Sequence, residues 1–225
     1  MNIAARHDLG NAPGTKQEAI VYVVDDDVAV RRALSTLLRS VDLQVETYGS
    51  THDFLSALRH DVPSCLILDV RLRDRNGLAF HQELKNIGMR IPVLFITGHG
   101  DLEMGVKAMK AGATDFFAKP FRDQDMLDAV VQALDLDKQR LFDARVKTQL
   151  RLSYEALSTR EREILRFVIA GLMNKQIAVA VGLSEVTVKV HRGHIMRKMN
   201  AQTLPDLARM AVALGIEPSK NTLTD

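Results

Sequence analysis

The run Cys65-Leu66-Ile67-Leu68-Asp69 joins four apolar residues to a single acid, the pattern of a buried strand handing over to a loop. Ile20 to Val24 likewise stops at Asp25 and Asp26, Val93 to Ile96 stops at Thr97, and Asp115 to Phe117 leads to Lys119-Pro120. A further run, Val45 to Tyr48, completes five short candidate strands. Between them, apolar residues recur at helical spacing: Val30, Leu34, Leu37 and Leu38; Phe54, Leu55 and Leu58; Leu78, Phe80, Leu84 and Ile87; Val106 and Met109 before Gly112. Strands alternating with amphipathic helices predict an α/β doubly wound, five-stranded parallel sheet. In such a sheet the ligand site lies beyond the carboxyl ends of the strands, where the acids, the threonine and the lysine stand.

The chain has 225 residues, more than one domain usually holds, so two domains are expected. Residues 123–152 contain neither Gly nor Pro and predict one long helix, with a helix that breaks near Asp135 to Asp137 as the alternative. Leu127, Val131, Leu134, Leu141 and Leu152 share a heptad register, but Lys138, Arg145 and Thr148 share it too, which argues against a sustained coiled coil. The last part reads as short helices. Ser158 and Glu161 form a capping box before Ile164, Leu165, Val168 and Ile169, and Asn174 is expected to cap a helix over 175–181. Ser184 caps a third helix over 185–199 after a turn of only Gly182 and Leu183, and a fourth spans 204–214. Two helices joined by a tight Gly-containing turn make a helix-turn-helix.

Hydrophobic content of 46% with 26% charged residues is that of an ordinary globular chain, and no run approaches the length of a membrane helix. Residues 1–18 lack the apolar core of a secretory signal and read as a mobile tail. The single cysteine, Cys65, lies in an apolar run and is expected to be a buried core residue; a reducing cytoplasm is the expected compartment. Charge is unevenly placed. Residues 1–134 hold 15 Lys+Arg against 18 Asp+Glu, whereas residues 150–225 hold 11 against 7, which suggests a nucleic-acid partner for the C-terminal part.

Asp25, Asp26 and Asp69 would bring three carboxylates together, an arrangement that raises their pKa values unless a cation is present. A hard divalent ion resolves the repulsion, and Mg2+ suits a few carboxylates with water and phosphate oxygens. With Mg2+ and Lys119 neutralising an incoming phosphoryl group, Asp69 can attack phosphorus while the Thr97 hydroxyl donates to a phosphoryl oxygen.

As a set, the paired acids after the first strand, Asp69 after the third, Thr97 after the fourth and Lys119-Pro120 after the fifth resemble the receiver domains of two-component response regulators, with a CheY-like fold. The resemblance covers residues 19–122. It implies that Asp69 is the phosphoacceptor, that Asp25 and Asp26 bind Mg2+ with the carbonyl of Arg71, that Pro120 is cis, and that Phe116 is the aromatic switch. Alone, Phe116 reads as a core residue, Thr97 as a strand-end hydroxyl, and Asp27 as a solvated helix-start acid. Arg73 stands where receivers commonly carry Pro, and Arg71 and His99 occupy positions that influence dephosphorylation in the family.

Helical geometry divides residues 185–199 into two faces. Val188, His191, Ile195 and Met199 should pack on the scaffold, leaving Lys189, Val190, Arg192, Gly193 and Arg197 to approach DNA. His191 and His194 have no third metal ligand near them in the sequence and read as packing or phosphate-contact residues. Residues 157–163, 171–178 and 187–192 are similar to the LuxR-type helix-turn-helix of FixJ and NarL regulators, which implies that Lys189, Val190 and position 193 face the bases. Gly193 departs from relatives with a longer side chain there.

Together the resemblances imply a mobile tail at 1–18, a receiver domain at 19–134, a helical linker at 135–155, a DNA-binding domain at 156–217 and a tail at 218–225. They imply a transcription factor, not a turnover enzyme. Its expected partners are a histidine kinase, promoter DNA, a second copy of itself on phosphorylation, and RNA polymerase, with no membrane. Phosphorylation-independent DNA binding is one alternative. A haloacid-dehalogenase-type phosphatase, suggested by Asp25-Asp26-Asp27, is another.

Overall fold

The computed structural model describes residues 19–57, 60–98 and 102–219. The expected tail at 1–18, the end of the tail at 218–225, and the readings of Leu58 and His99 lie outside them. The chain divides into two compact units, Met1–Leu141 and Phe142–Asp225.

In the first unit, strands β1 (Ile20–Val24), β2 (Gln44–Tyr48), β3 (Ser64–Asp69), β4 (Val93–Thr97) and β5 (Asp115–Ala118) form one parallel sheet in the order β2-β1-β3-β4-β5. Every residue of β1, β3 and β4 is buried, which explains why these strands read as continuous apolar runs. Their side chains alternate between two cores. Val21, Val23, Cys65, Ile67, Leu94 and Ile96 face helices α1 (Val28–Arg39) and α5 (Asp123–Glu155), meeting Leu34, Leu38, Met126 and Val130. Tyr22, Val24, Leu66, Leu68 and Phe95 face α2 (Thr51–Ser56), α3 (Gly77–Asn86) and α4 (Leu102–Lys110), meeting Phe54, Phe80, Leu84 and Ala108. Each fully buried side chain of this size contributes about 1.5–3 kcal/mol, so the two-sided core holds the strand ends in fixed register.

Helix α5 runs unbroken for 33 residues, through the stretch expected to be helical. Its register does not sustain a coiled coil: Leu134 is buried whereas Val131 and Leu152 are more than half exposed. Asp137, on the same helix, is fully buried; its Oδ2 accepts from the Ser64 N–H at 2.9 Å and its Oδ1 from Arg140 Nε at 2.7 Å. This tie fastens α5 to the start of β3 beyond the boundary at 134 read from the sequence, and the division between units falls later still, at Leu141.

The second unit holds α6 (Thr159–Ile169), α7 (Asn174–Val181), α8 (Glu185–Met199) and α9 (Leu204–Ala213) around a core that includes Ile164, Leu165, Ile177, Val188, Ile195 and Leu207. The Ser158–Glu161 capping box opens α6 and Ser184 caps α8. Gly182 turns the chain between α7 and α8 at φ 66°, a left-handed conformation that favours glycine. One cap differs from expectation. Asn174 is the first helical residue, not the cap; Met173 takes that place, and Gln176 Oε1 accepts its N–H at 2.8 Å. The Asn174 side chain is directed elsewhere, to Arg192.

Candidate carboxylate site and nucleic-acid interface

Four strand ends converge in the first unit. Asp25 follows β1 and is fully buried, Asp69 ends β3 and is buried, Thr97 ends β4 and is buried, and Lys119 follows β5. Lys119 Nζ lies 2.7 Å from Asp25 Oδ2 and 2.7 Å from Asp69 Oδ2. The remaining oxygens are also directed: Asp25 Oδ1 accepts the Asp27 N–H at 2.8 Å, and Asp69 Oδ1 accepts the Arg71 N–H at 2.7 Å. The Lys119–Pro120 peptide is cis.

One ammonium thus faces two buried carboxylates. Burial pushes the Asp25 carboxyl above its ordinary range; the Lys119 hydrogen bond, the Asp27 N–H and the Lys119 charge pull it back incompletely, and the Asp69 charge pushes it up again. Burial alone would lower Lys119, but its hydrogen bonds to Asp25 and Asp69 and their charges raise it. A site short of positive charge and rich in carboxylate oxygens has the donor chemistry of a hard divalent cation, which Mg2+ fits.

Asp26 is brought to the neighbouring surface, where Arg73 Nε pairs with its Oδ2 at 2.7 Å. The Arg73 side chain is 86% exposed, so this ion pair contributes little to stability. The Asp27 side chain caps α1, its Oδ1 accepting the Ala29 N–H at 2.7 Å, while its backbone N–H is the group that donates to Asp25 Oδ1. Thus the Asp25-Asp26-Asp27 run is divided among a buried site acid, a surface ion pair and a helix cap.

Two glycines that sequence reasoning passed over shape the site. A Cβ on Gly77 would lie 2.3 Å from the Asp69 carbonyl oxygen, so the loop after β3 can fold back onto Asp69 only without a side chain there. The Asn76-Gly77 pair was its legible turn signal. A Cβ on Gly105 would lie 3.2 Å from Phe116 Cδ1, so the aromatic ring on β5 packs against bare α4 backbone. Phe116 is partly buried beside the core.

In the second unit, α8 buries Val188, Ile195 and Met199, half-buries His191, and exposes Lys189, Val190, Gly193 and Arg197. A Cβ on Gly193 would meet nothing within 4 Å, so packing does not require glycine there. Arg192 differs from the other residues expected to reach DNA. Its Nη1 donates to Asn174 Oδ1 at 2.9 Å and to the Leu172 carbonyl at 3.3 Å, bracing α8 against the turn before α7. Helical periodicity places Arg192 on the outer side but cannot show a partner 18 residues away.

Residues 21–131 match the family described as response regulator receiver domain, and residues 155–211 match the bacterial regulatory proteins of the luxR family. Nodulation protein W of Bradyrhizobium diazoefficiens is 49% identical over 207 residues, covering 92% of this chain and 91% of that protein. Response regulator protein TmoT of Ectopseudomonas mendocina is 47% identical, covering 92% and 94%. Among solved structures, the response regulator StyR superposes with a TM-score of 0.80 at 44% identity, covering 87% of this chain and 98% of that one. Full-length FixJ of B. japonicum gives 0.52 at 34% identity, covering 88% and 97%. No helix among the described residues is long and apolar enough to cross a membrane. Sheet, helix-turn-helix and relatives agree: the chain belongs to the two-component response regulators of the LuxR-type helix-turn-helix family, transcriptional regulators and not turnover enzymes.

Proposed function

We propose that the chain is a phosphorylation-gated transcription factor in which Asp69 accepts a phosphoryl group from a histidine kinase and the modified protein pairs with a second copy on promoter DNA. The observation that carries this reading is the single Lys119 ammonium shared between Asp25 and Asp69 at the carboxyl ends of β1 and β3. In the transfer, an Asp69 carboxylate oxygen forms a bond to phosphorus as the bond from phosphorus to the kinase histidine nitrogen breaks. The electron pair stays on that nitrogen, which takes up a proton. Lys119 balances the charge of the phosphoryl group, and Thr97 donates its hydroxyl to one of its oxygens.

Receiver domains bind Mg2+ for phosphorylation, and Asp25, Asp26, Asp69 and the carbonyl of Arg71 would hold the ion here, where it would neutralise phosphoryl oxygens. The raised Asp25 carboxyl and the shortage of positive charge around it support this assignment. For access, Asp26 must give up its pairing with Arg73. Thr97 moving toward the phosphoryl group leaves space that the Phe116 ring follows into, with bare Gly105 backbone beside it. The altered face around Val106, Met109 and Phe121 then joins two receivers, and the α8 helices meet half-sites about one DNA turn apart. Lys189, Val190, Arg192, Gly193 and Arg197 form the DNA-facing surface, with Arg192 also bracing α8 through Asn174. RNA polymerase is the further partner of a promoter-bound regulator, and the cytoplasm the compartment.

Incubation with a small-molecule phosphoryl donor and Mg2+ should add the mass of one phosphoryl group, and promoter affinity should rise. Both changes should vanish in Asp69→Asn. Equal promoter affinity with and without donor, in wild type and variant alike, would establish the phosphorylation-independent regulator instead.

A further inference from the structure

Outside the carboxylate site, the second unit gathers a different set of ligands. Glu161 on α6 and His191 and His194 on α8 each offer one ligand atom, and these atoms all lie within 4.8 Å of one another. The two histidines are one helical turn apart on α8, on the side turned to α6. Glu161 is buried and its carboxylate is held in one orientation: Oε2 accepts from the Ser158 N–H at 2.7 Å and from Lys198 Nζ at 2.7 Å. That leaves Oε1 facing His194 Nδ1 at 3.7 Å, too long for a hydrogen bond. Two ligands of one tetrahedral zinc lie about 3.4 Å apart, given bonds of about 2.0–2.1 Å. His191 Nδ1 is buried and has no hydrogen-bond partner among the described residues. A nitrogen in that condition is costly unless something fills its lone pair or takes its proton.

We propose that Glu161, His191 and His194 form a site for one divalent transition-metal ion of the zinc class. Imidazole nitrogens with a single carboxylate suit Zn2+, Co2+ or Ni2+ and not the hard Mg2+ of the receiver site. Three protein ligands leave a fourth position to water, so the ion adds to a fold that is already built. The Ser158 N–H acts behind the carboxylate as an orienting group. Lys198 opposes the incoming charge, which keeps the affinity below that of a closed structural zinc site. An ion held here clamps α6 to α8, the helix that exposes Lys189 and Arg197.

The test uses the full-length protein without a histidine tag, titrated with Co2+ and followed by its visible absorption, then with Zn2+ against a chromogenic chelator. With excess Mg2+ present to fill the carboxylate site, one further equivalent should bind with tetrahedral absorption and raise the unfolding temperature. His191→Asn with His194→Asn removes two of the three ligands and should abolish binding. His52→Ala with His60→Ala should leave binding unchanged. Lys198→Met removes the opposing charge and should tighten binding, a gain that a damaged fold cannot produce. Absence of binding in the wild type, or binding undiminished in the paired His191 and His194 variant, overturns the site.

Discussion

Two buried carboxylates each have a lysine ammonium at 2.7 Å, yet burial and pairing balance oppositely at the two places. Asp25, with Lys119, is held above its ordinary carboxylate range; Glu161, with Lys198, is held below. For both, burial is the largest influence and pushes upward. At Glu161 the hydrogen bonds from Lys198 and from the backbone and side chain of Ser158, and then the Lys198 charge, outweigh it. At Asp25 they do not, because Lys119 is shared with Asp69, whose charge adds to the push. The difference is one of stoichiometry. A carboxylate with its own cation and cap keeps its charge without further help, whereas two carboxylates sharing one cation form a centre short of positive charge.

Removing each lysine breaks the comparison most directly. Lys119→Met leaves two buried carboxylates without a cation and should destabilise the first unit by about 3 kcal/mol. Lys198→Met leaves Glu161 still accepting from Ser158 and should cost the second unit about 1 kcal/mol. Differential scanning calorimetry of both variants, with hydrogen exchange to assign the units, measures the gap; equal losses would contradict the sharing argument.

Acid sharpens the contrast. His81 on α3 is buried edge-to-face against Phe95 at 5.6 Å, and burial, with the Lys85 charge, lowers its pKa from 6.5 to about 4. Its folded pKa lies below its unfolded one, so its stabilising contribution is full above pH 6.5 and is lost as pH falls toward about 4. The complete loss is roughly 3 kcal/mol. Asp25 acts oppositely, its protonation favouring the folded state as pH falls. Glu161, with a lowered folded pKa, contributes stability above 4.5 that declines only below it. The first unit should therefore begin to weaken at higher pH than the second, and His81→Leu should flatten its unfolding temperature between pH 6.5 and 4.

The smallest effect has the opposite sign. Asp25→Asn keeps an oxygen for Lys119 and removes one buried charge but turns its Nδ2 toward the Asp27 N–H, so the first unit should gain less than about 1 kcal/mol. Its unfolding midpoint in urea should rise even as phosphorylation from a donor fails; an unchanged or lower midpoint would show that Lys119 already balances both acids.

The sheet was legible because β1, β3 and β4 are buried on both faces and therefore read as unbroken apolar runs closing on polar residues. The strand-end acids, threonine and lysine followed from the same runs, since a parallel sheet brings those ends to one edge. Periodicity also separated Val188, Ile195 and Met199 from Lys189 and Arg197 on α8. It reports which side of a helix faces inward, not which group waits there. Hence it places Arg192 on the DNA side without showing that Asn174 and Leu172 also engage it, and it shows no third ligand for the histidines of α8 although Glu161 lies across from them. The same blindness covers Asp137: an acid within a helix gives no local sign of a backbone N–H at Ser64 needing an acceptor.

That last bond has a mechanical consequence. Strand β3 is six residues long, and Asp69, the acid proposed to be modified, stands at one end while Ser64, held by Asp137 of α5, stands at the other. An extended strand locked between β1 and β4 is stiff along its axis, so the reacting carboxylate and the long helix are the two ends of one short strut. Asp137→Asn keeps that strut attached through a neutral oxygen, and Asp137→Ala cuts it loose at the end farthest from the chemistry.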